Sequence, residues 1–309
     1  MIKAIVGFTG FVGSNICNST TFDAYYNSKN IEDAFGSEPD LLIYSGVRAE
    51  MFLANKFPDR DLEDIEKAIS NIRNINPKRV VLISSIAVYH QTFDVDENTI
   101  IDKEKSSPYG RNRRILEEWV EQNYTNSLII RLPGIYGLNL KKNFLYDLIN
   151  IIPTMLTISK FYELSDKSEL IRANYVIQEN GFAQCTANDM ETRNSLKKEF
   201  QNIGFDALCF TDSRGIFQYF NLNQLWSLIE KALANNLRIL NVAVEPVTIS
   251  ELYSFVYDGK TFENKLDKPI PHFDFRTIHN NILGGDNGYL LDKATCLKQI
   301  KDFVIAESK

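Results

Sequence analysis

Short apolar runs alternate with amphipathic segments through the first half of the chain. The apolar-rich runs at 2–6, 40–47, 79–85 and 127–137 have the composition of strands, and the third is continuous, as is typical of a strand covered on both faces. Residues 59–75 place apolar side chains at the spacing of one helix face. This alternation predicts a parallel sheet with right-handed crossovers, in which ligands bind at the carboxyl ends of the strands.

The regular alternation weakens after Gly137 and returns near residue 216. Residues 161–206 are polar and favour helices, with only weak strand patterns. The predicted elements beyond them are a strand, turn and helix at 217–233, a strand at 238–243, a helix capped by Thr248 or Ser250 at 247–256, and a closing helix at 292–304.

Charge and composition exclude several classes of function. The formal net charge is -6, with acids and bases interleaved, so no broad basic surface for nucleic acid is expected. The four cysteines are far apart and the three histidines are scattered, so we expect reduced thiols, a cytoplasmic location and no metal site. The most apolar stretch after the N-terminus is too short to cross a bilayer, and the initial strand leaves no room for a secretory leader, so no membrane association is expected.

Three glycines follow the first predicted strand and open a helix. Gly7, Gly10 and Gly13 are spaced G-x-x-G-x-x-G. A tight strand-to-helix turn would by itself explain one or two of them. In this context, however, the backbone amides after Gly7 can point at a pyrophosphate, and the missing side chains allow it to approach closely. The turn therefore predicts a dinucleotide site.

These observations place the chain in the α/β class. We predict a Rossmann-like doubly wound parallel sheet with a smaller α/β substrate-binding region towards the C-terminus. The chain has 309 residues, 44% of them hydrophobic, which is enough for one large or two coupled domains. The dinucleotide-binding domain is predicted at 1–138, completed by 216–244, and the substrate-binding region at 139–215 and 245–309.

Four segments together resemble one enzyme family. They are "TGFVG" at 9–13, "ISSIAVYH" at 83–90, a tyrosine 24 residues after Ser85, and "RLPGIYG" at 131–137. In this order and spacing they resemble the extended branch of the short-chain dehydrogenase/reductase family, whose members act mostly on nucleotide-linked sugars. The resemblance covers the first 137 residues and continues more faintly through 217–233 and 238–256.

The resemblance implies a catalytic serine, tyrosine and basic residue at Ser85, Tyr109 and Arg113. A free tyrosine has a pKa of about 10, so a cation nearby is needed to favour its phenolate. Position 113 lies four residues after Tyr109 and therefore shares its helix face. The family has a lysine at this position, which also hydrogen-bonds the nicotinamide ribose. The resemblance further implies that Ser85 binds the substrate oxygen.

Arginine at 113 leaves two outcomes open. Its guanidinium keeps the positive charge, but it is bulkier than an ammonium and does not lose a proton. If proton relay through a lysine matters, activity is reduced; if only the electric field matters, activity is nearly intact. Taken alone, Tyr109 would be an ordinary aromatic residue at a helix start, with the arginines on a solvated face.

A possible second strand, "FDAYY" at 22–26, ends in a turn that favours NADP, with NAD as the other cofactor. In dinucleotide folds an acid there binds the ribose 2'-hydroxyl, and a basic group tolerates a 2'-phosphate. The segment "YYNSKN" has no acid and contains Lys29, although a polar surface turn would have the same composition. The predicted cofactor residues are Gly7, Thr9, Gly10, Phe11, Val12, Gly13, Asn27, Ser28, Lys29, Ser45, Gly46, Tyr109, Arg113 and Pro133.

The substrate side resembles the family less closely. The position of its usual diphosphate-binding arginine is Phe217, and the nearest cation is Arg214, for which a turn arginine paired with Asp212 is the plain alternative. Asn143 resembles a residue that contacts nucleotide or phosphate in relatives. The predicted substrate residues are Ser85, Tyr109, Asn143 and Arg214.

The resemblance implies an NADP-dependent oxidoreductase, either a 4-keto reductase or an epimerase, acting on a nucleotide-activated sugar in surface polysaccharide synthesis. Ile86 and Ala87 follow Ser85 where a dehydratase would need an acid–base pair. The alternative is an NAD(P)-binding sensor or scaffold protein of the same fold, impaired in catalysis by Arg113. Relatives commonly form homodimers, so the expected partners are a nucleotide sugar and a second copy of the chain.

Overall fold

The computed structural model describes residues 1–308 of the chain. Its strands are β1 (Lys3–Val6), β2 (Ala24–Tyr26), β3 (Leu41–Tyr44), β4 (Val80–Ser85), β5 (Phe93–Val95), β6 (Leu128–Leu132), β7 (Gly134–Tyr136), β8 (Met155–Thr157), β9 (Tyr175–Ile177), β10 (Phe182–Cys185), β11 (Ile216–Phe217), β12 (Tyr219–Asn221), β13 (Ile239–Asn241), β14 (Val247–Thr248) and β15 (Asp274–Phe275).

Its α-helices are α1 (Phe11–Ser19), α2 (Met51–Lys56), α3 (Pro58–Ile75), α4 (Pro108–Asn123), α5 (Phe144–Ile149), α6 (Ile158–Ser165), α7 (Glu169–Ala173), α8 (Met190–Ile203), α9 (Leu225–Ala234), α10 (Ile249–Val256), α11 (Asn280–Leu283) and α12 (Lys293–Glu307). None of the helices within residues 1–308 combines the length and the apolar character needed to cross a bilayer.

Six strands form a parallel sheet in the order β13-β6-β4-β3-β1-β2. β2 pairs with one edge of β1 and β3 with the other, so the direction of winding reverses between β1 and β3. In open α/β sheets ligands bind at such a reversal, outside the carboxyl ends of the strands. The predicted doubly wound α/β fold is confirmed.

Alternate residues of the central strands pack into cores on opposite faces of the sheet. Ile5 and Ile43 belong to the core covered by α1 and α9, whereas Val6 and Leu42 belong to the core covered by α3 and α4. A strand buried on both faces needs apolar residues at every position, not at every second one. This requirement explains the continuous apolar runs in the sequence.

A separate small core lies within residues 152–200, between α5 and the return of the chain to β11. Here β8, β10 and β9 form a three-stranded antiparallel sheet, packed with α6, α7 and α8. The sequence of this segment favours helices and does not predict these strands. They are three or four residues long and carry exposed side chains, so their apolar pattern is too short to be recognised.

The C-terminal helices pack with α5 in a further core. Thr248, one of the two predicted caps, begins α10 with a capping box: its hydroxyl accepts from the Glu251 amide at 3.2 Å, and the Glu251 carboxylate accepts from the Thr248 amide at 3.5 Å. The predicted division into domains at residue 138 stays a prediction.

Candidate active site

The glycine turn lies at the reversal point of the sheet, between the ends of β1 and β3. Gly7 has a φ of +91°, and a side chain there would come within 2.6 Å of the Ser45 carbonyl oxygen. A Cβ on Gly13 would come within 2.1 Å of the Gly7 carbonyl oxygen. Two glycines are therefore required by close backbone packing, whereas a Cβ on Gly10 would be 3.2 Å from its nearest neighbour. These contacts keep the start of α1 close to the ends of β1 and β3, and residues 7–13 are called the glycine cradle below.

Helix α1 begins at the glycine turn, which places its first amides there. Gly10 is its N-cap and supplies no side-chain acceptor. The first amides of a helix have no partner within the helix, and together with the helix dipole they favour an anion. Thr9 and Gly10 are exposed, and Phe11 and Val12 are partly buried. The site therefore has the donors that a pyrophosphate requires.

A closed polar turn follows β2, beside the glycine cradle. The Asn27 amide donates to Asn30 Oδ1 at 2.8 Å, and the Lys29 amide donates to Asn27 Oδ1 at 2.8 Å. Ser28 and Lys29 are exposed at this turn. Ser45 and Gly46 follow β3 on the other side, where the Ser45 hydroxyl donates to the Val6 carbonyl at 2.9 Å.

Ser85 ends β4, and Tyr109 stands in the first turn of α4 beside it. The Ser85 hydroxyl accepts from the Ala87 amide at 3.2 Å, which leaves its own hydrogen available to donate. Ser107 caps α4 and Pro108 begins it. The Tyr109 amide donates to Asn55 Oδ1 at 2.9 Å, so α2 also holds this end of the helix. Tyr109 is only 6% exposed.

The Arg113 guanidinium lies over the Tyr109 ring, with Cζ 3.9 Å from the ring centroid. It forms a buried ion pair with Asp61 of α3, and its Nη2 donates to the Arg48 carbonyl at 2.6 Å. Asp61 also accepts from Asn112 Nδ2 at 2.9 Å. The cation therefore lies over the phenol ring, and it is shared with an acid, Asp61, that no pattern in the sequence paired with it.

Burial raises the pKa of Tyr109 above its ordinary value. The Arg113 charge and hydrogen bonding with Ser85 lower this pKa, and the Asp61 carboxylate raises it. Because desolvation has the largest effect, the phenol keeps its proton at neutral pH. A protonated phenol can donate to a substrate oxygen without a prior ionisation step.

A buried charge network fixes α4 against the sheet. Glu117, which is fully buried on α4, accepts from Ser84 Oγ at 2.6 Å, from Arg131 Nη2 at 2.7 Å and from Arg114 Nη1 at 2.9 Å. Arg131 Nη1 also donates to the Tyr89 hydroxyl at 2.7 Å. The network joins α4 to β4 and β6, so the distance from Tyr109 to Ser85 is set by rigid elements.

The remaining predicted residues have other local roles in the structure. Pro133 separates β6 from β7. The Asn143 side chain caps α5, accepting from the Leu145 amide at 3.0 Å, and donates to the Ile135 carbonyl at 2.9 Å. The Arg214 guanidinium donates to both carboxylate oxygens of Asp212, at 2.9 and 2.7 Å, which matches the alternative of a turn arginine paired with Asp212. A role of Arg214 or Asn143 towards substrate stays a prediction.

Asp61 was identifiable in part from the sequence. It lies four residues before Ile65, seven before Ala68 and eleven before Ile72, all of which are buried on one face of α3. An acid on an apolar helix face needs a buried partner. The identity of that partner was not evident, because Arg113 lies 52 residues further along the chain.

Comparison with known proteins yields structural matches only; no protein-family model and no curated protein matches the sequence. RMD from Pseudomonas aeruginosa complexed with NADPH is 14% identical, with a TM-score of 0.61 over 100% of this chain and 99% of that one. A dTDP-4-dehydrorhamnose reductase from Bacillus anthracis in complex with NADP is 13% identical, with a TM-score of 0.63 over 99% of each chain. The UDP-glucose 4-epimerase of Thermotoga maritima with UDP-glucose is 11% identical, with a TM-score of 0.62 over 100% of each chain.

At these identities the likeness concerns the fold, and it extends over the whole length of both chains, including the region after β7. The chain therefore shares the fold of these solved structures, a doubly wound α/β fold of the kind that the sequence predicted.

Proposed function

We propose that the protein is an NADP-dependent oxidoreductase that acts on a nucleotide-activated sugar, as a 4-keto reductase or an epimerase. The observation that carries this proposal is the convergence of Ser85, Tyr109 and Arg113 at the carboxyl edge of the sheet, next to the Gly7–Gly13 cradle. A hydroxyl, a phenol and a cation beside a dinucleotide-type turn are the groups that carbonyl reduction requires.

The residues present fit a nicotinamide dinucleotide. The backbone packing leaves no room for a side chain at Gly7 or Gly13, and the first amides of α1 suit the pyrophosphate of the cofactor. Exposed Lys29 after β2 suits a 2'-phosphate, which favours NADP over NAD. Two of the matching structures contain NADPH or NADP, and a third contains UDP-glucose. When bound, the cofactor supplies or accepts a hydride.

Each side chain of the site has a distinct role in this proposal. Ser85 donates its free hydroxyl hydrogen to the substrate oxygen and polarises the carbonyl. Tyr109 transfers the proton to that oxygen, and Arg113 stabilises the negative charge that develops on the phenol. Burial keeps Tyr109 protonated, which suits donation of a proton to that oxygen.

The test uses purified protein, NADPH and a panel of 4-keto nucleotide sugars, with the absorbance of the reduced nicotinamide followed over time. We expect substrate-dependent loss of NADPH that is abolished in Tyr109→Phe, because the phenylalanine keeps the ring packing and removes only the proton donor. NADPH binding without turnover across the panel contradicts the enzymatic proposal.

The second candidate is a nucleotide-binding sensor or scaffold protein, and the Arg113–Asp61 ion pair is the observation that favours it. An acid that neutralises the cation weakens its effect on the phenol. Under this alternative NADPH binds, Tyr109→Phe leaves binding unchanged, and no member of the panel is reduced. The role in polysaccharide synthesis and the homodimer stay predictions; light scattering of the purified protein tests the homodimer.

A further inference from the structure

The Asp61 carboxylate joins the first turn of α3 to the helix that carries the catalytic tyrosine. It is 9% exposed and accepts hydrogen bonds from both Arg113 and Asn112. Asn112 Nδ2 also donates to the Pro58 carbonyl at 3.0 Å, so the carboxylate and the backbone of α3 bind the same side chain. A buried carboxylate persists only with such partners, since an unpaired one costs several kcal/mol by typical magnitudes.

The guanidinium is anchored on its far side and still faces the phenol. Asp61 and the Arg48 carbonyl use only part of its N–H donors, and the others remain for the phenol or a ribose. Its planar shape lets it bind these acceptors while lying over the Tyr109 ring. A lysine ammonium is a compact charge on a flexible stem. Next to Asp61 it would be drawn onto the carboxylate and away from the phenol.

We propose that Asp61 is a positioning residue. It holds the Arg113 guanidinium over the Tyr109 ring and offsets its charge, and this allows an arginine to function at position 113. This inference rests on the proposed function, in which Arg113 takes the place of the family's lysine. It explains why this site combines an arginine with a buried acid. Arg113 and Asp61 form a matched pair, so replacing Arg113 alone by lysine is expected to be more harmful than replacing both residues.

Three groups on different elements act on the Tyr109 phenol. They are Arg113 of its own helix, Asp61 of α3, and the Ser85 hydroxyl at the end of β4. The Asp61 charge raises the pKa of Tyr109, whereas Arg113 and Ser85 lower it. Asp61→Asn keeps a hydrogen-bond acceptor for the guanidinium and removes the negative charge. The pKa of Tyr109 should therefore fall in this variant.

The first test compares kcat/KM of the wild type, Arg113→Lys and the double variant Asp61→Asn/Arg113→Lys. Arg113→Lys is expected to lower kcat/KM at least about tenfold. The double variant Asp61→Asn/Arg113→Lys should have a kcat/KM at least about threefold higher than that of Arg113→Lys, which is the coupling typical of residues in contact. Asp59→Asn is the matched control, because Asp59 is also in the first turn of α3 but is exposed. An Arg113→Lys enzyme as active as the wild type, or a double variant no better than Arg113→Lys, overturns the proposal.

The second test does not depend on turnover. Tyrosines labelled with ¹³C at Cζ are titrated by NMR in the cofactor-free protein, and Tyr109 is assigned by its absence in Tyr109→Phe. In Asp61→Asn the resonance should be ionised to a greater extent than in the wild type at the highest pH that the fold tolerates, and Asp59→Asn should match the wild type. Equal or lower ionisation in Asp61→Asn overturns the inference. If ionisation rises but no substrate is reduced, the proposed function fails while the electrostatic role of Asp61 stands.

Discussion

The contact between Gly110 and Ala87 gives the most direct test of how the site is built. Gly110 follows Tyr109 in α4, and Ala87 lies two residues after Ser85. A Cβ on Gly110 would be 1.9 Å from the Ala87 carbonyl oxygen. Because these partners lie within two residues of Tyr109 and Ser85, the proposed catalytic residues, Gly110→Ala should push the tyrosine away from the serine.

The size of the effect follows from this distance. Ordinary van der Waals contact begins near 3.4 Å, so the backbones must separate by about 1.5 Å. Overpacking of this kind typically costs about 1–3 kcal/mol of stability. A misplacement of about 1 Å between reacting groups can cost on the order of 10²-fold in rate. Helix propensity alone predicts the opposite sign, since alanine is favoured over glycine by about 1 kcal/mol in a helix interior.

The assay combines thermal unfolding, NADPH binding and kcat/KM for Gly110→Ala. We expect a lower Tm, a fall in kcat/KM of roughly 10²-fold, and NADPH affinity changed much less, because the glycine cradle lies on β1 and α1. Arg111→Ala, at the next position of the same helix, controls for substitution in this turn. A Gly110→Ala protein with a raised Tm and kcat/KM within about threefold of the wild type would refute the reasoning.

Three further predictions concern the cofactor cradle, the charge network and a buried acid. Gly13→Ala should lower NADPH affinity at least about tenfold in a fluorescence titration, because its Cβ would lie 2.1 Å from the Gly7 carbonyl oxygen. Glu117→Gln should lower the denaturant midpoint by an amount equivalent to about 3–5 kcal/mol, because buried Arg131 loses its counter-charge. Burial, and then the charge of Asp206, raises the pKa of Asp147 to about 7. The folded state therefore binds this proton more tightly, and its contribution to stability is complete below about pH 4 and lost as the pH rises through about 7. Asp147→Asn should be more stable than the wild type at about pH 8, by at most roughly 4 kcal/mol, and nearly equal to it at about pH 4 in urea unfolding.

The strands β1, β3, β4 and β6 were accessible from the sequence, because parallel strands buried on both faces leave continuous apolar runs. The run at β4 and the helix face of α3 are local patterns that need no knowledge of distant residues. The glycine turn was also local, since Gly7 and Gly13 lie within one strand–helix unit. The inserted sheet was not accessible, because β8, β9 and β10 are too short to show a period.

The sequence by itself determined the parallel α/β sheet and the glycine turn, and it put Tyr109 and Arg113 four residues apart in one helix. Only the tertiary structure decided which acid pairs with Arg113 and which backbone carbonyl excludes a side chain at position 110. The physical reason is that these contacts join residues far apart in the chain, such as Asp61 and Arg113. Helix and strand periods are set by neighbours in sequence, whereas the partner of a buried charge is set by how the completed elements pack.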